Sequence, residues 1–251
     1  MPILLEEQLN YPLPQMHRVR QSFSRPRLED IEAHIKQEIT KKEISEKIKP
    51  GAKVAVAVGS RGIKNLAKIV KEVIGQIKEL GGEPFIISAM GSHGGGTPEG
   101  QREVLASYGI TEENIGVEIV TSVDVVRLGR TSGGIDVYFD SAALGADLIV
   151  PINRVKLHTD FVGDIQSGVC KMLVIGLGNH VGCTAVHEAD FDNFADILIE
   201  AAGMIMKHAS VGFGVAILEN AYDETAMIEA IPAEKIIERE KELVKIAKDN
   251  M

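Results

Sequence analysis

One stretch, residues 53–89, constrains the fold more than any other part of the chain. Lys53–Val58 (KVAVAV) is short, apolar and rich in β-branched residues, the pattern of a strand covered on both faces. It runs into Gly59-Ser60-Arg61-Gly62, after which Ile63, Leu66, Ile69, Val70, Val73, Ile74, Ile77 and Leu80 recur at helical spacing. Gly81-Gly82 closes that segment, and residues 84–89 (PFIISA) make a second apolar strand. Strand, helix, strand in this order predicts parallel strands joined by a right-handed crossover.

The pattern continues in both directions. Residues 1–28 are interrupted by proline and read as irregular. Residues 28–48 are Glu/Lys-rich with isoleucine at intervals and read as a largely solvated helix, ended by Pro50-Gly51. A glycine-rich turn at 91–96 leads into a helix from Thr97. Short strands are expected at 117–120 and 135–139, and apolar runs follow at 147–152 and 171–177. A helix is expected from about Phe191 to His208, a strand at 211–218, and a charged helix over 233–249. With no internal repeat and no linker, the economical reading is one large α/β domain. Its expected form is Rossmann-like, a mostly parallel sheet with helices on both faces.

Composition removes several function classes. The formal net charge is −9 and no block of lysine and arginine appears, which argues against nucleic acid as a partner. The cysteines, Cys170 and Cys183, are too few for a disulfide framework or an iron–sulfur cluster. Acidic residues stand where a signal peptide needs basic ones, and no apolar run approaches membrane-spanning length. The expectation is a soluble cytoplasmic protein with no membrane partner.

In open α/β sheets ligands collect beyond the carboxyl ends of strands, which nominates 59–65, 90–97 and 153–168 with its continuation to 187. Arg61 follows a buried strand and reads either as a phosphate or carboxylate contact at a helix start, or as a surface arginine in a tight turn. His93, in AMGSHGGGTPEG, reads as an acid/base group with glycines allowing close approach of a ligand, or as an ordinary loop histidine. The segment NRVKLHTDFVGDIQSGVCK gathers Arg154, Lys156, His158, Asp160, Asp164 and Lys171 after an apolar strand. Such a segment is an active-site loop or a long solvated one. GLGNHVG at 176–182 has its third glycine one place late for a dinucleotide fingerprint and lacks an acidic partner. His180 and His187 are weak metal-ligand candidates on spacing alone.

These motifs, GSRGIKN at 59–65, AMGSHGGGTPEG at 89–100, the His158–Lys171 stretch and the downstream His187, together resemble the nickel-dependent lactate racemase family, in its N-terminal, cofactor-carrying domain. The resemblance implies a racemase or epimerase of a lactate-like 2-hydroxy acid. Its cofactor would be a nickel-pincer nucleotide, a pyridinium thioamide/thiocarboxylate mononucleotide tethered to a lysine. By motif position Lys171 becomes the tether, His187 the nickel ligand, His93 and His158 the acid/base pair, and Arg61 with Ser60 cofactor contacts. The implied partners are a small 2-hydroxy acid and the enzymes that synthesise the cofactor.

The resemblance also implies that residues 1–232 form the N-terminal-like domain and that 233–251 lead toward an absent C-terminal domain, the chain being a fragment inactive alone. Two other readings stand beside it. One is a non-catalytic nucleotide-binding or regulatory domain, which would have no need of His93, Lys171 and His187 together. The other is an oxidoreductase with a freely exchanging nicotinamide.

Overall fold

A computed structural model of the chain describes residues 14–189 and 193–250. Its strands are β1 (Lys53–Val58), β2 (Glu83–Ser88), β3 (Ile119–Val120), β4 (Val125–Arg130), β5 (Asp136–Asp140), β6 (Leu148–Arg154), β7 (Phe213–Glu219) and β8 (Thr225–Pro232). Six of them form one sheet in the order β3-β2-β1-β6-β7-β8, while β4 and β5 pair apart from it. Every neighbouring pair in the large sheet is parallel except β7 with β8. The longer helices are α1 (Ile31–Ile39), α2 (Leu66–Glu79), α3 (Pro98–Ser107), α4 (Asn179–His187), α5 (Phe194–His208) and α6 (Ile236–Asp249). This is the α/β, Rossmann-like sheet with helices on both faces that the strand–helix–strand pattern predicts.

Alternation along β1 shows how the two faces are filled. Val54, Val56 and Val58 join Ile69, Val73 and Ile77 of α2 in one core. Ala55 and Ala57 join Leu173, Leu177, Phe194 and Leu198 in the other. Small residues point to the face where a second layer crowds the sheet, and β-branched ones to the face under α2. Thr97 caps α3, its hydroxyl accepting the Gly100 N–H at 3.2 Å.

Several expectations need correction. The segment 28–48 is not largely solvated: Ile31, Ile35, Ile39, Ile44 and Ile48 are all buried. One apolar residue per turn makes a narrow stripe, and α1 packs it on α2 and β8. The strand at 136–140 belongs to the separate β4–β5 hairpin. Its partner β4 was not expected, because VVRLGR mixes arginines and a glycine into a mostly exposed pattern. The antiparallel edge strand β8 was also missed, since TAMIEAIP is rich in helix formers that sheet context overrides. The last helix is not solvated all round: Ile236, Leu243, Val244 and Ala247 are buried, and with them the acid Glu240. The expected start near Phe191 falls on residues 190–192, outside the described residues. No single helix among the described residues is long and apolar enough to cross a membrane.

The strand order fixes where a ligand fits. From β1 the chain moves outward through β2 and β3, then returns to place β6 on the other side of β1. Connections therefore diverge beyond the carboxyl ends of β1 and β6, the topological switch point at which such sheets open a crevice.

Candidate active site at the switch point

A cleft of ≈ 300 Å³ lies at that point, lined by Ser60 and Arg61 after β1, His93 after β2, Arg154, Lys156 and His158 at and beyond the end of β6, and Lys171 on the helical segment that follows. Five of the six residues nominated from sequence, Ser60, Arg61, His93, His158 and Lys171, thus share one cavity wall. The sixth, His187, does not line it.

Ser60 and His93 are in direct contact, hydroxyl oxygen to Nδ1 at 2.5 Å. Tyr108, the C-cap of α3, holds the Ser60 carbonyl by donating its hydroxyl at 2.7 Å. Arg61 precedes the helix, which begins only at Leu66 with Asn65 at its cap, so the helix terminus expected beside it is not there. What Arg61 offers is its guanidinium. The glycines after His93 serve the chain rather than a ligand: Gly94, Gly95 and Gly96 all have φ between 65 and 67°. A Cβ on Gly94 would stand 2.6 Å from the backbone of α3. They wrap the loop around the start of that helix and so aim His93.

His158 is set by its own loop. Its N–H donates to Gln166 Oε1 at 2.7 Å, its Nδ1 accepts the Asp160 N–H at 3.2 Å, and its ring lies 4.4 Å from that of Phe161. With Nδ1 accepting, the neutral ring carries its proton on Nε2. Phe161 also lies under Lys171, whose Nζ is 5.5 Å from the ring centroid. Phe161 was not singled out from the sequence. Its signal was present, an aromatic alone in a polar stretch, but it pointed to no chemistry.

Lys171 closes a helical turn, Val169–Lys171, that runs on into a π turn at Met172–Gly176. That segment meets α4 at 107°. A Cβ on Gly178 would fall 2.4 Å from the Val174 carbonyl oxygen, and Asn179 takes the left-handed conformation with φ 50°. The Asn179 amide is held in turn by Asp140 of β5 at 2.7 Å. The corner folds α4 back so that Cys183 and His187 act on Lys171 electrostatically. His187 Nδ1 donates to the Cys183 carbonyl at 2.7 Å and lies 3.5 Å from the Cys183 sulfur, so that in the neutral ring Nε2 carries no proton.

Charge in the cleft is one-sided. Burial, and then Arg61, draw the Lys171 ammonium down to about 8. Burial also lowers His93, helped by Arg61 and Lys171, and lowers His158, helped by Lys171. Both imidazoles are therefore held toward the neutral form. Burial pushes the Cys183 thiol up, but its hydrogen bonds with His187 and Ser92 bring it below its ordinary value, and Cys183 raises His187 in return. The arrangement offers a partly neutral amine, two neutral imidazoles on different strand ends, and a guanidinium between them. Such a set can hold an anion and move protons on two sides of it.

The sequence profile of the lactate racemase N-terminal domain matches residues 13–197. Among solved structures, the lactate racemase apoprotein from Thermoanaerobacterium thermosaccharolyticum superposes with a TM-score of 0.63 at 15% identity, covering 89% of this chain and 57% of that one. At that identity the likeness speaks for the fold, and the chain spans little more than half of the protein it matches. Comparison with curated proteins finds no match.

Proposed function

The chain belongs to the lactate racemase N-terminal domain family, and on that premise we propose that it is the cofactor-carrying part of a racemase or epimerase acting on a 2-hydroxy acid. One observation carries the reading: a lysine drawn down to about 8 lines a cleft with two imidazoles held toward neutrality.

The residues present fit a lysine-tethered nickel-pincer nucleotide. Lys171 offers a partly neutral nitrogen for a thioamide link. His187 has the bonding of a metal ligand, one ring N–H on a backbone carbonyl and the other nitrogen bare. Imidazole nitrogen suits nickel. Among the described residues no group of three or more His, Cys, Asp or Glu is placed to hold a metal by itself, in keeping with a group that brings most of its own donors. Ser60 and Arg61 complete the contacts. When bound, such a group supplies a reversible acceptor for the substrate α-hydrogen and its electron pair.

The protein's own part is placement and proton transfer. Arg61 holds the substrate carboxylate. In the tautomer whose Nδ1–H is directed at Ser60, His93 has a free Nε2 lone pair and takes the hydroxyl proton as the α-carbon becomes a planar ketone. His158, in its imidazolium form, returns a proton from Nε2 to the oxygen when the α-hydrogen comes back on the opposite face, and is left as a neutral ring. The reverse direction exchanges the two roles.

Co-expression with the family's cofactor-synthesis enzymes tests this by intact mass and peptide mapping. A stable adduct on Lys171, lost in Lys171→Ala, is expected. An adduct on Lys156, or none under conditions that load another family member, overturns the assignment.

A further inference from the structure

We propose that Arg154 and Lys156 form an anion site of their own on the β6–β7 flank of the cleft, suited to a dianionic group such as a phosphomonoester. The proposal deepens the reading above, because the cleft is the same, but it stands on residues to which that reading gives no role.

Arg154 ends β6, and its Nη1 is held by the carboxylate of Glu219 at the end of β7, a side chain only 6% exposed. Glu219 is itself fixed, since its other oxygen accepts the Lys64 N–H at 2.6 Å. Both carboxylate oxygens are therefore engaged, and Glu219 acts as a bracket that orients the guanidinium. The Nε of Arg154 is buried and has no partner. A buried donor in that state calls for an acceptor.

Lys156 lies two residues along the same extended segment, so its side chain leaves on the same side as that of Arg154. Both line the cleft, as does Ser167, whose backbone pairs with that of Lys156. Among the described residues neither Lys156 nor Arg61 has an ion pair. Burial and the neighbouring Arg154 and Arg61 lower the Lys156 ammonium, the mark of cations crowded together without enough anions. A single carboxylate would answer one of these charges. A phosphate dianion has the charge and the acceptors for both a forked guanidinium and an ammonium.

Position separates this site from His93, whereas His158 stands two residues beyond Lys156 on the same segment. His93 follows β2 and the Glu219 bracket ends β7, three strand spacings across the sheet, or roughly 14 Å. The charged grip thus lies on the His158 side of the cleft, away from His93. The dianion would be the phosphate of a tethered mononucleotide or a far phosphate on the substrate.

Calorimetric titration of the chain, without cofactor, reads the site directly. Inorganic phosphate should bind once per chain, and lactate should not displace it. Lys156→Gln should weaken phosphate at least tenfold, while Lys68→Gln, a surface lysine paired with Glu32, should leave it unchanged. Because Arg154→Gln strands the buried Glu219, it is paired with Glu219→Gln, and the double variant should lose at least as much. Nicotinic acid mononucleotide that competes with phosphate identifies the nucleotide as the source. Mononucleotide that binds alongside it identifies the substrate. Absence of saturable binding, or unchanged affinity in Lys156→Gln, overturns the proposal. Phosphate binding without a Lys171 adduct would retain this site and remove the racemase reading, and the opposite pairing would remove this site alone.

Discussion

Lys171 gives up its proton more readily than an ordinary lysine for two local reasons, burial first and Arg61 second. A ¹³C-methylated sample followed by NMR should show a midpoint near 8, and Arg61→Gln should move it upward. A midpoint at the ordinary lysine value would contradict the placement. The sign of the stability effect follows. A folded pKa below the unfolded one means that folding is penalised while the group is charged, and the penalty fades as pH rises from about 8 toward 10.5. Lys171→Met should therefore raise Tm at pH 7, with the gain shrinking by pH 10, a stability gained at the expense of function. In a loaded, complete enzyme, His93→Ala and His158→Ala should each lower turnover about 10²–10⁴-fold while mass spectrometry still finds the adduct. The placing of His93, His158 and Lys171 in one cleft could be anticipated because each follows a strand that announces itself. Phe161 and Cys183 could not, because their roles depend on what folds against them.

At the scale of elements, α6 shows most plainly what a pattern of charges conceals. Glu240 is fully buried in it and reaches the turn that carries Lys171, where its carboxylate accepts the Cys170 N–H at 3.0 Å. The first N–H groups of that turn have no side-chain cap of their own, so a carboxylate from another helix serves instead. Burial pushes Glu240 up to about 7, against the pull of the Cys170 and Val169 N–H groups. A raised carboxyl pKa stabilises the fold fully below the ordinary value of 4.5, and that contribution is lost as pH rises through about 7. Melting temperature should accordingly fall between pH 5 and pH 8, and Glu240→Gln should flatten the slope. A slope unchanged in the variant would assign it to other groups. In the sequence Glu240 is one acid among many in EREKELVK, and nothing distinguishes the buried one until the helix has a neighbour.

Across the whole molecule, the readable part was the part with a strong period. The β1–α2–β2 unit follows from residues 53–89 alone, and with it the parallel sheet and the side on which a ligand must sit. Strand β4 escaped because its arginines and glycine are tolerated where no residue is fully buried, and edge strand β8 because its helix-favouring residues are overridden by pairing with β7 and packing on both faces. The switch point was equally hidden, since it depends on β6 returning beside β1 and not beside β3. That return sets the ends of β1, β2 and β6 around one space, which is why residues from Ser60 to Lys171 meet there. Any tight ligand of the cleft therefore ties several chain segments together. Inorganic phosphate at a hundred times its dissociation constant should add about 2.7 kcal/mol to stability, visible as a concentration-dependent rise in Tm.

The corner at Gly178 and Asn179 sets an order of events. On an unbroken helix Lys171 and His187 would stand about 24 Å apart, too far to attend one small group. The corner that departs from such a helix is held by the Asn179–Asp140 hydrogen bond, and Asp140 stands on β5, which packs against α4. On the proposed reading, a cofactor tethered at Lys171 would meet His187 only on a chain in which this corner has formed. Loading would then wait for folding, with Asn179 holding the corner. Asn179→Ala should delay or abolish loading at Lys171 while leaving the lysine itself untouched.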